Sequence, residues 1–368
     1  MKIGVITFHA AENFGSALQA FALCTILKRL GNEPELIDYR YTNDQKQYNC
    51  FRTHLYKKRP KAILGDILYF PFNFKRKCGF RNFRHNFFKE TKIRYYDDDN
   101  LNDLNYQFDC FVCGSDQIWN INCLGSIVEP YFLGFASEDK KKIAYAPSMP
   151  SDISIEFYDD IKHLIDSLDY ISVRESKTKE LLKNKLGIDR KISVVLDPTL
   201  LLSAGDYVKI FDLKKTNGEY LFLYILGDDS QNTLIVDEAI RVANKHRLKI
   251  KYVYIRRIKK LIEAEYCLGI DPLGFLKLIY NARFVVTNSF HATVFSLLFG
   301  QIFLTFGRKG SESRALELLE NVGVENHYFI SNGNLWDEDQ YDKIAVGDKL
   351  SAKADESIMF LKEALQTS

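Results

Sequence analysis

Hydrophobic and polar positions along the chain alternate between two periods, short apolar runs and longer stretches with helical spacing. Residues 2–7 form the first run, and after the turn from His9 to Ser16 a helix-period stretch over 16–30 is closed by Gly31. A second run at 36–39 makes this start a βαβ unit of the doubly wound kind. Further strands are predicted at 108–113, 143–146 and 170–173, with helices over 155–168 and from Arg174 to near Gly187. After the segment 194–199 the alternation begins again. It gives strands at 220–226, 249–254, 284–286 and 302–306 and helices over 233–246, 272–281, 290–298 and 315–322. The expected fold class is α/β, with two Rossmann-like domains over residues 1–200 and 201–350. A last helix around 353–365, within residues 351–368, is expected to pack back on the first domain.

Several loops at predicted strand ends carry candidate chemistry. Thr287-Asn288-Ser289 stops an apolar strand, and Asn288 and Ser289 are helix-capping residues, so His291 falls in the first turn of the next helix, where anions bind. A histidine there reads either as a proton carrier or as a hydrogen-bonded core residue. The first loop brings Asn13, Gly15 and Ser16 to a strand's carboxyl end, as turn chemistry or as ligand contacts. Its single glycine does not make a dinucleotide fingerprint. Gly114-Ser115-Asp116-Gln117-Ile118-Trp119 follows a buried strand, where the backbone can approach a ligand closely and Trp119 can stack on a sugar ring; Asp116 fits a helix cap equally well. Arg174 stands at a strand end, a site for an anion or for a salt bridge to Asp169 or Glu175. Arg308, Lys309 and Arg314 lie in and after a glycine-containing basic loop suited to closing over an anion or to simple exposure.

Charge changes the picture at one place. The 368 residues carry a net charge of +2, yet between Lys46 and Arg94 there are 14 lysines and arginines against two acids. That insertion, about 46–94, interleaves the cations with aromatics such as Phe51, Phe70, Phe72, Phe74, Phe80 and Phe83. It reads as a solvated helical insertion or as a segment resting on anionic lipid; no nucleic-acid module signature accompanies it, so nucleic acid is not an expected partner. No apolar run approaches the roughly 18 residues of a membrane span, and the start lacks signal-peptide features, so a cytoplasmic protein is expected. Cys110 and Cys113 have C-x-x-C spacing inside a strand-like run, without a second pair, and are expected as buried thiols rather than metal ligands.

With these segments assembled, the chain resembles the polysaccharide pyruvyl transferase family. The resemblance rests on residues 4–23 (GVITFHAAENFGSALQAFAL), 108–120 (FDCFVCGSDQIWN), 171–176 (ISVRES), 194–202 (VVLDPTLLL) and 287–296 (TNSFHATVFS). The family commonly has glycine where Ala292 stands, and some members have Arg-Leu where this chain has Ser289-Phe290. The resemblance implies a GT-B-like arrangement, two domains facing across a cleft. It also implies phosphoenolpyruvate as co-substrate, a sugar or lipid-linked glycan as acceptor, and no cofactor or metal. It assigns His291 the proton transfer, with Asp116 as the second catalytic candidate. Arg174, Asn288, Ser289, Arg308, Lys309 and Arg314 fall on the donor side; Asn13, Gly15, Ser16, Ser115, Gln117 and Trp119 fall on the acceptor side. The insertion would then hold the enzyme at the inner membrane face near a lipid-linked acceptor. A nucleotide-sugar glycosyltransferase on the same fold, and a non-catalytic scaffold, are the competing readings.

Overall fold

The computed structural model describes residues 1–42, 49–57, 60, 62–150, 152–216, 218–227, 232–253, 263–307, 312–329 and 341–366. The chain divides into two compact units, Met1–Leu201 with Lys353–Ser368, and Leu202–Ala352.

In the N-terminal unit, β1 (Lys2–Ile6), β2 (Glu33–Tyr39), β3 (Glu90–Tyr95), β4 (Cys110–Cys113), β5 (Lys141–Ala144), β6 (Tyr170–Val173) and β7 (Ile192–Val194) form one parallel sheet. Its order is β3-β2-β1-β4-β5-β6-β7. A parallel sheet is covered on both faces, which is why β1 and β4 read as continuous apolar runs. Ile3, Val5, Phe111 and Val112 are wholly buried, and each such side chain contributes about 1.5–3 kcal/mol. Gly4 makes room for this packing, since a Cβ there would lie 2.9 Å from the Phe111 ring. The first helix, α1 (Phe14–Arg29), starts two residues before the expected Ser16 because Asn13 Oδ1 accepts the N–H groups of Gly15 and Ser16.

The basic-aromatic insertion is largely one helix, α2 (Ala62–Phe87), and its two halves behave differently. The second half packs on α1. Phe80 stacks on Phe14, Phe83 and Phe87 meet Phe21, and the Arg76 guanidinium lies over the Phe14 and Phe80 rings. Arg76 and Arg84 donate to the carbonyls of Glu12 and Ala10, so part of the positive charge is used inside the fold. The first half, anchored by the buried Asp66 that accepts from Arg52 and Tyr56, leaves its apolar side chains exposed. A third helix, α3 (Tyr158–Asp166), covers the other part of the sheet.

The C-terminal unit repeats the design. Its strands β8 (Tyr220–Tyr224), β9 (Lys249–Val253), β10 (Glu265–Cys267), β11 (Phe284–Thr287), β12 (Ile302–Phe306) and β13 (Tyr328–Phe329) are parallel, in the order β10-β9-β8-β11-β12-β13. Its longer helices are α4 (Asn232–His246), α5 (Pro272–Asn281), α6 (Phe290–Leu298), α7 (Glu312–Val322) and α8 (Lys343–Gln366). The part of α8 from Lys353 on belongs to the N-terminal unit. There Ser357 Oγ accepts from the Leu196 N–H at 3.0 Å and Phe360 meets the Tyr145 ring.

Chain order reverses once in each sheet, between β1 and β4 and between β8 and β11. In open parallel sheets the crevice outside the carboxyl ends at such a reversal is where ligands bind. The two strongest sequence motifs end at these two places.

Candidate active site

At the β1/β4 reversal the loop after β1 and the loop after β4 meet through polar side chains. Ser16 Oγ donates to Asp116 Oδ2 at 2.6 Å. Gln19 Nε2 donates to Thr7 Oγ1 at 2.8 Å, its Oε1 accepts the Ser115 N–H, and Thr7 Oγ1 donates to the Ser115 carbonyl. Gly114 lets the loop after β4 pass close to the chain leaving β5: at φ 116°, a Cβ there would come within 2.0 Å of the Tyr145 carbonyl oxygen. Asn13, Gly15, Ser16, Ser115, Asp116 and Gln117 are thus gathered at one sheet edge. Asn13 is the cap of α1, and the Gln117 N–H donates to Asp116 Oδ1.

Trp119 is not available for a sugar. It is fully buried, stacked on Phe132 with ring planes 1° apart, and its Nε1 donates to the Tyr131 carbonyl at 2.9 Å. The expectation failed because a tryptophan six residues past a strand can turn inward as readily as outward, and here an apolar partner was waiting.

For Arg174 the structure shows the salt bridge to Glu175, one of the two readings, and corrects its placement on the donor side. The residue ends β6 as a buried cation whose Nε donates to Glu175 at 2.9 Å and whose Nη1 donates to Asp197 at 2.8 Å. Burial alone would lower its pKa, but Glu175, Asp197 and Asp116 outweigh that and hold it above the ordinary arginine value. Three carboxylates against one guanidinium do not make a cationic clamp for a phosphorylated acid. Arg174 instead positions the acids around it: Ser115 Oγ reaches Asp197, Ser148 Oγ donates to Glu175, and Thr199 donates to Asp197 at 2.6 Å.

At the β8/β11 reversal the chemistry differs. Thr287 Oγ1 donates to the Tyr224 carbonyl and accepts the Ser289 N–H. Ser289 caps α6, accepting from the Ala292 N–H, and its own carbonyl accepts from Thr293, whose hydroxyl lies 2.7 Å from that of Thr305. Asn288 uses both ends of its amide on Leu226, accepting from its N–H at 2.7 Å and donating to its carbonyl at 3.0 Å. It therefore ties the loop after β8 to the loop after β11, and the expectation that it contacts a donor is corrected to this bracing role. His291 stands on the first turn of α6 at 9% exposure, on a platform fixed by these bonds, where the helix dipole favours an anion. Arg314 is half-buried on α7. Arg308 and Lys309 lie outside the described residues.

Sequence reasoning missed Gln19 and Asp197. A glutamine with no exposure on an otherwise apolar helix was one signal. An aspartate before Pro198-Thr199, where its side chain accepts the Thr199 N–H, was another. It also missed His9, which is fully buried with Nδ1 3.2 Å from the Thr7 carbonyl and Nε2 within 3.6 Å of Asp38 and Glu90. These three side chains have the spacing of metal ligands. However, Arg40 and Arg94 already donate to Asp38 at 2.7 and 2.8 Å, and an ion would have to displace both. Burial would raise the Asp38 carboxyl, but the hydrogen bonds from His9, Arg40 and Arg94 more than offset it and hold it well below the usual carboxylate range. The cluster is an ion-pair lock between the first three strands. Cys110 and Cys113 are buried thiols, the first pushed up to about 12 by burial, and at i and i+3 of one strand they point to opposite faces.

Among solved structures, the chain is similar to the UDP-GlcNAc 2-epimerase of Methanocaldococcus jannaschii, at 13% identity over 99% of this chain and 100% of that one, with a TM-score of 0.56. It is also similar to MnaA of S. aureus, solved with UDP, at 13% identity over 99% and 91% of the two chains and a TM-score of 0.51. These likenesses establish the fold, two parallel-sheet α/β domains of GT-B-like type. No curated protein matches the sequence. The family model described as polysaccharide pyruvyl transferase matches residues 13–309, which take in both reversal points and every motif placed there except the strand of β1 and its turn. The chain belongs to the polysaccharide pyruvyl transferase family.

Proposed function

We propose that this protein transfers the enolpyruvyl unit of phosphoenolpyruvate to a sugar of a polysaccharide or lipid-linked oligosaccharide and closes a pyruvate ketal. A sugar hydroxyl oxygen bonds to C2 of the donor while C3 takes a proton; a second hydroxyl bonds to the same carbon as the C–O bond to phosphate breaks. One hydroxyl proton is balanced by the new methyl group and the other leaves with phosphate. The observation that carries this reading is His291, a titratable ring on a helix N-terminus at the second sheet's reversal, braced by Asn288, Ser289 and Thr293. It supplies the proton to C3, a general-acid contribution of about 10²–10⁴ in rate. The α6 dipole and the positive charge of Arg314 favour the donor's phosphate and carboxylate. Asp116, held by Ser16, is the base for the acceptor hydroxyl.

The test is incubation of the purified protein with an acceptor glycan and either phosphoenolpyruvate or a panel of nucleotide sugars, read by phosphate release and mass spectrometry of the glycan. Phosphate release with a pyruvate ketal on the product is expected. Consumption of a nucleotide sugar, with phosphoenolpyruvate untouched, would overturn the assignment.

The exposed half of α2 adds a membrane contact to this reading. Leu64 is 72% exposed, Leu68 67%, Ile67 58% and Phe74 52%, and the exposed Lys75, Lys77 and Arg81 follow on the same helix. Apolar side chains beside cations suit a leaflet containing anionic lipid. Among the described residues no helix is long and apolar enough to cross a membrane. Flotation with phosphatidylglycerol-containing vesicles should carry the protein and weaken with salt. Failure to float, or equal flotation of a Leu64→Ser/Leu68→Ser variant, would remove the contact.

A further inference from the structure

A cavity of about 460 Å³ opens in the N-terminal unit at the carboxyl edge of the seven-stranded sheet, outside β2 and β3. It is separate from the Ser16–Asp116 pair, which sits at β1 and β4. Tyr39 and Tyr41, two positions apart at the end of β2, line it together with Phe135, and Asp97, Asn102 and Glu129 stand around them. The two tyrosines differ. Tyr41 donates its hydroxyl to the Leu124 carbonyl at 3.0 Å and lies 3.1 Å from Ser126 Oγ. Tyr39 is only 2% exposed, its ring braced edge-on by Tyr131, yet its hydroxyl has no hydrogen-bond partner among the described residues. Burial, with Asp97, Tyr41, Asp98 and Asp99 nearby, raises the Tyr39 pKa well above the usual tyrosine value, so the hydroxyl keeps its proton and faces the acidic rim as a donor.

The geometry points to a saccharide subsite here, occupied by a neutral sugar unit of the acceptor glycan beyond the one that reacts. The half-buried Phe135 offers a face for sugar C–H groups, the phenol donates to a ring or hydroxyl oxygen, and the carboxylates and amide of the rim accept from sugar hydroxyls. The acidic rim excludes a phosphate or another anion. A divalent cation fits less well, because among the described residues the pocket's acids do not converge to metal-ligand spacing. The lining alone does not set the distance to the reacting end, but strand order does. From β2 to β4 is two inter-strand spacings, about 10 Å, so one glycan can reach both places along the same sheet edge. The inference rests on the acceptor being a glycan, as proposed above.

Two arms of an experiment separate the two readings. In the first, without donor, saturation-transfer NMR with lactose, cellobiose, maltose and chitobiose should show binding to the wild-type protein. Binding should weaken at least fivefold in Tyr39→Phe and disappear in Ser126→Trp, a bulky change at an exposed position beside the cavity. In the second, with phosphoenolpyruvate and an oligosaccharide acceptor, Tyr39→Phe should raise KM for the oligosaccharide about tenfold with kcat unchanged, and leave KM for a monosaccharide acceptor unaltered. Absence of binding by all four sugars, or binding indifferent to both substitutions, would overturn the subsite even if the donor is consumed. Tyr39-dependent binding without donor consumption would keep the subsite and sink the transfer reaction. Calcium or magnesium that binds in place of sugar and is lost in Asp97→Asn would make it a cation site instead.

Discussion

The reversal points of the two sheets occupy equivalent places in two parallel α/β units, and their chemistry is opposite. Along the carboxyl edge from β1/β4 to β6, Glu175 and Asp197 pair with Arg174 and Asp116 adds to the field around it, and each hydroxyl or amide nearby is tied to one of these acids or to backbone. At β8/β11 no carboxylate takes part among the described residues; threonine, serine and asparagine brace the loop that leads into the first turn of a helix bearing a histidine. The fold therefore offers the location twice and leaves the function to the residues placed there. In the function proposed above, the acid-rich network orients the acceptor hydroxyl, whereas the histidine beside the helix dipole handles the proton.

The sharpest way to break this contrast is at the ring. His291→Ala should lower kcat by about 10²–10⁴, the loss expected on removing the proton donor proposed above. Retention of full activity would move the proton chemistry away from β11. The next effect belongs to the other unit and should read as stability first. Asp197→Ala leaves the Arg174 guanidinium buried with one of its two acids gone, and removing one partner of a buried pair costs about 3–5 kcal/mol in chemical denaturation. Adding Arg174→Met should return part of that loss without restoring activity. If Asp197→Ala instead impairs turnover while stability is unaffected, the network acts on substrate directly.

A smaller effect follows from the brace. Asn288→Ala removes two bonds to the Leu226 backbone and should cost about 1–3 kcal/mol, with faster hydrogen exchange at the Leu226 amide. Exchange unchanged at Leu226 would mean the loop after β8 is held by other contacts.

Much of this architecture was legible in the residues. The helix over 272–281 was placed to the residue, since Asp271 caps it and Pro272 opens it. The strands of both reversal points were found because parallel strands are apolar on both faces. β3 was not, because it is an edge strand: Thr91 and Tyr95 are buried while Lys92, Ile93 and Arg94 face solvent, a pattern that merges with the surrounding basic run. α8 begins at Lys343, ten residues before the expected 353, because its mixed polar and small residues carry little helical period. At the sites, positions were readable and most pairings were not. His291 and Asp116 could be put at strand ends from local pattern alone. The Arg174–Glu175 pair was readable because the two residues are neighbours, but that Asp197 would close on Arg174, or that Trp119 would turn onto Phe132, depends on contacts between separate segments.

The smallest effect tests whether acids in the N-terminal unit are always held by cations, as at Arg174 and Asp38. Glu12 lies in the loop after β1 and is the counterexample. Burial raises its carboxyl pKa, and Arg76, Lys77 and Arg84 pull it down without fully offsetting that. A carboxyl whose folded pKa is raised binds its proton more tightly in the folded state, so its contribution to stability is present below the unfolded value near 4.3 and is lost as pH rises through the folded one. Glu12→Gln should therefore match the wild type at pH 4 and exceed it at pH 7, the difference between the two urea curves growing with pH. A difference that stays flat or changes sign would show that the arginines of α2 hold Glu12 as a carboxylate. The loop bearing Asn13 and Ser16 would then be fastened by the same acid–base pairing as the rest of the β1/β4 edge.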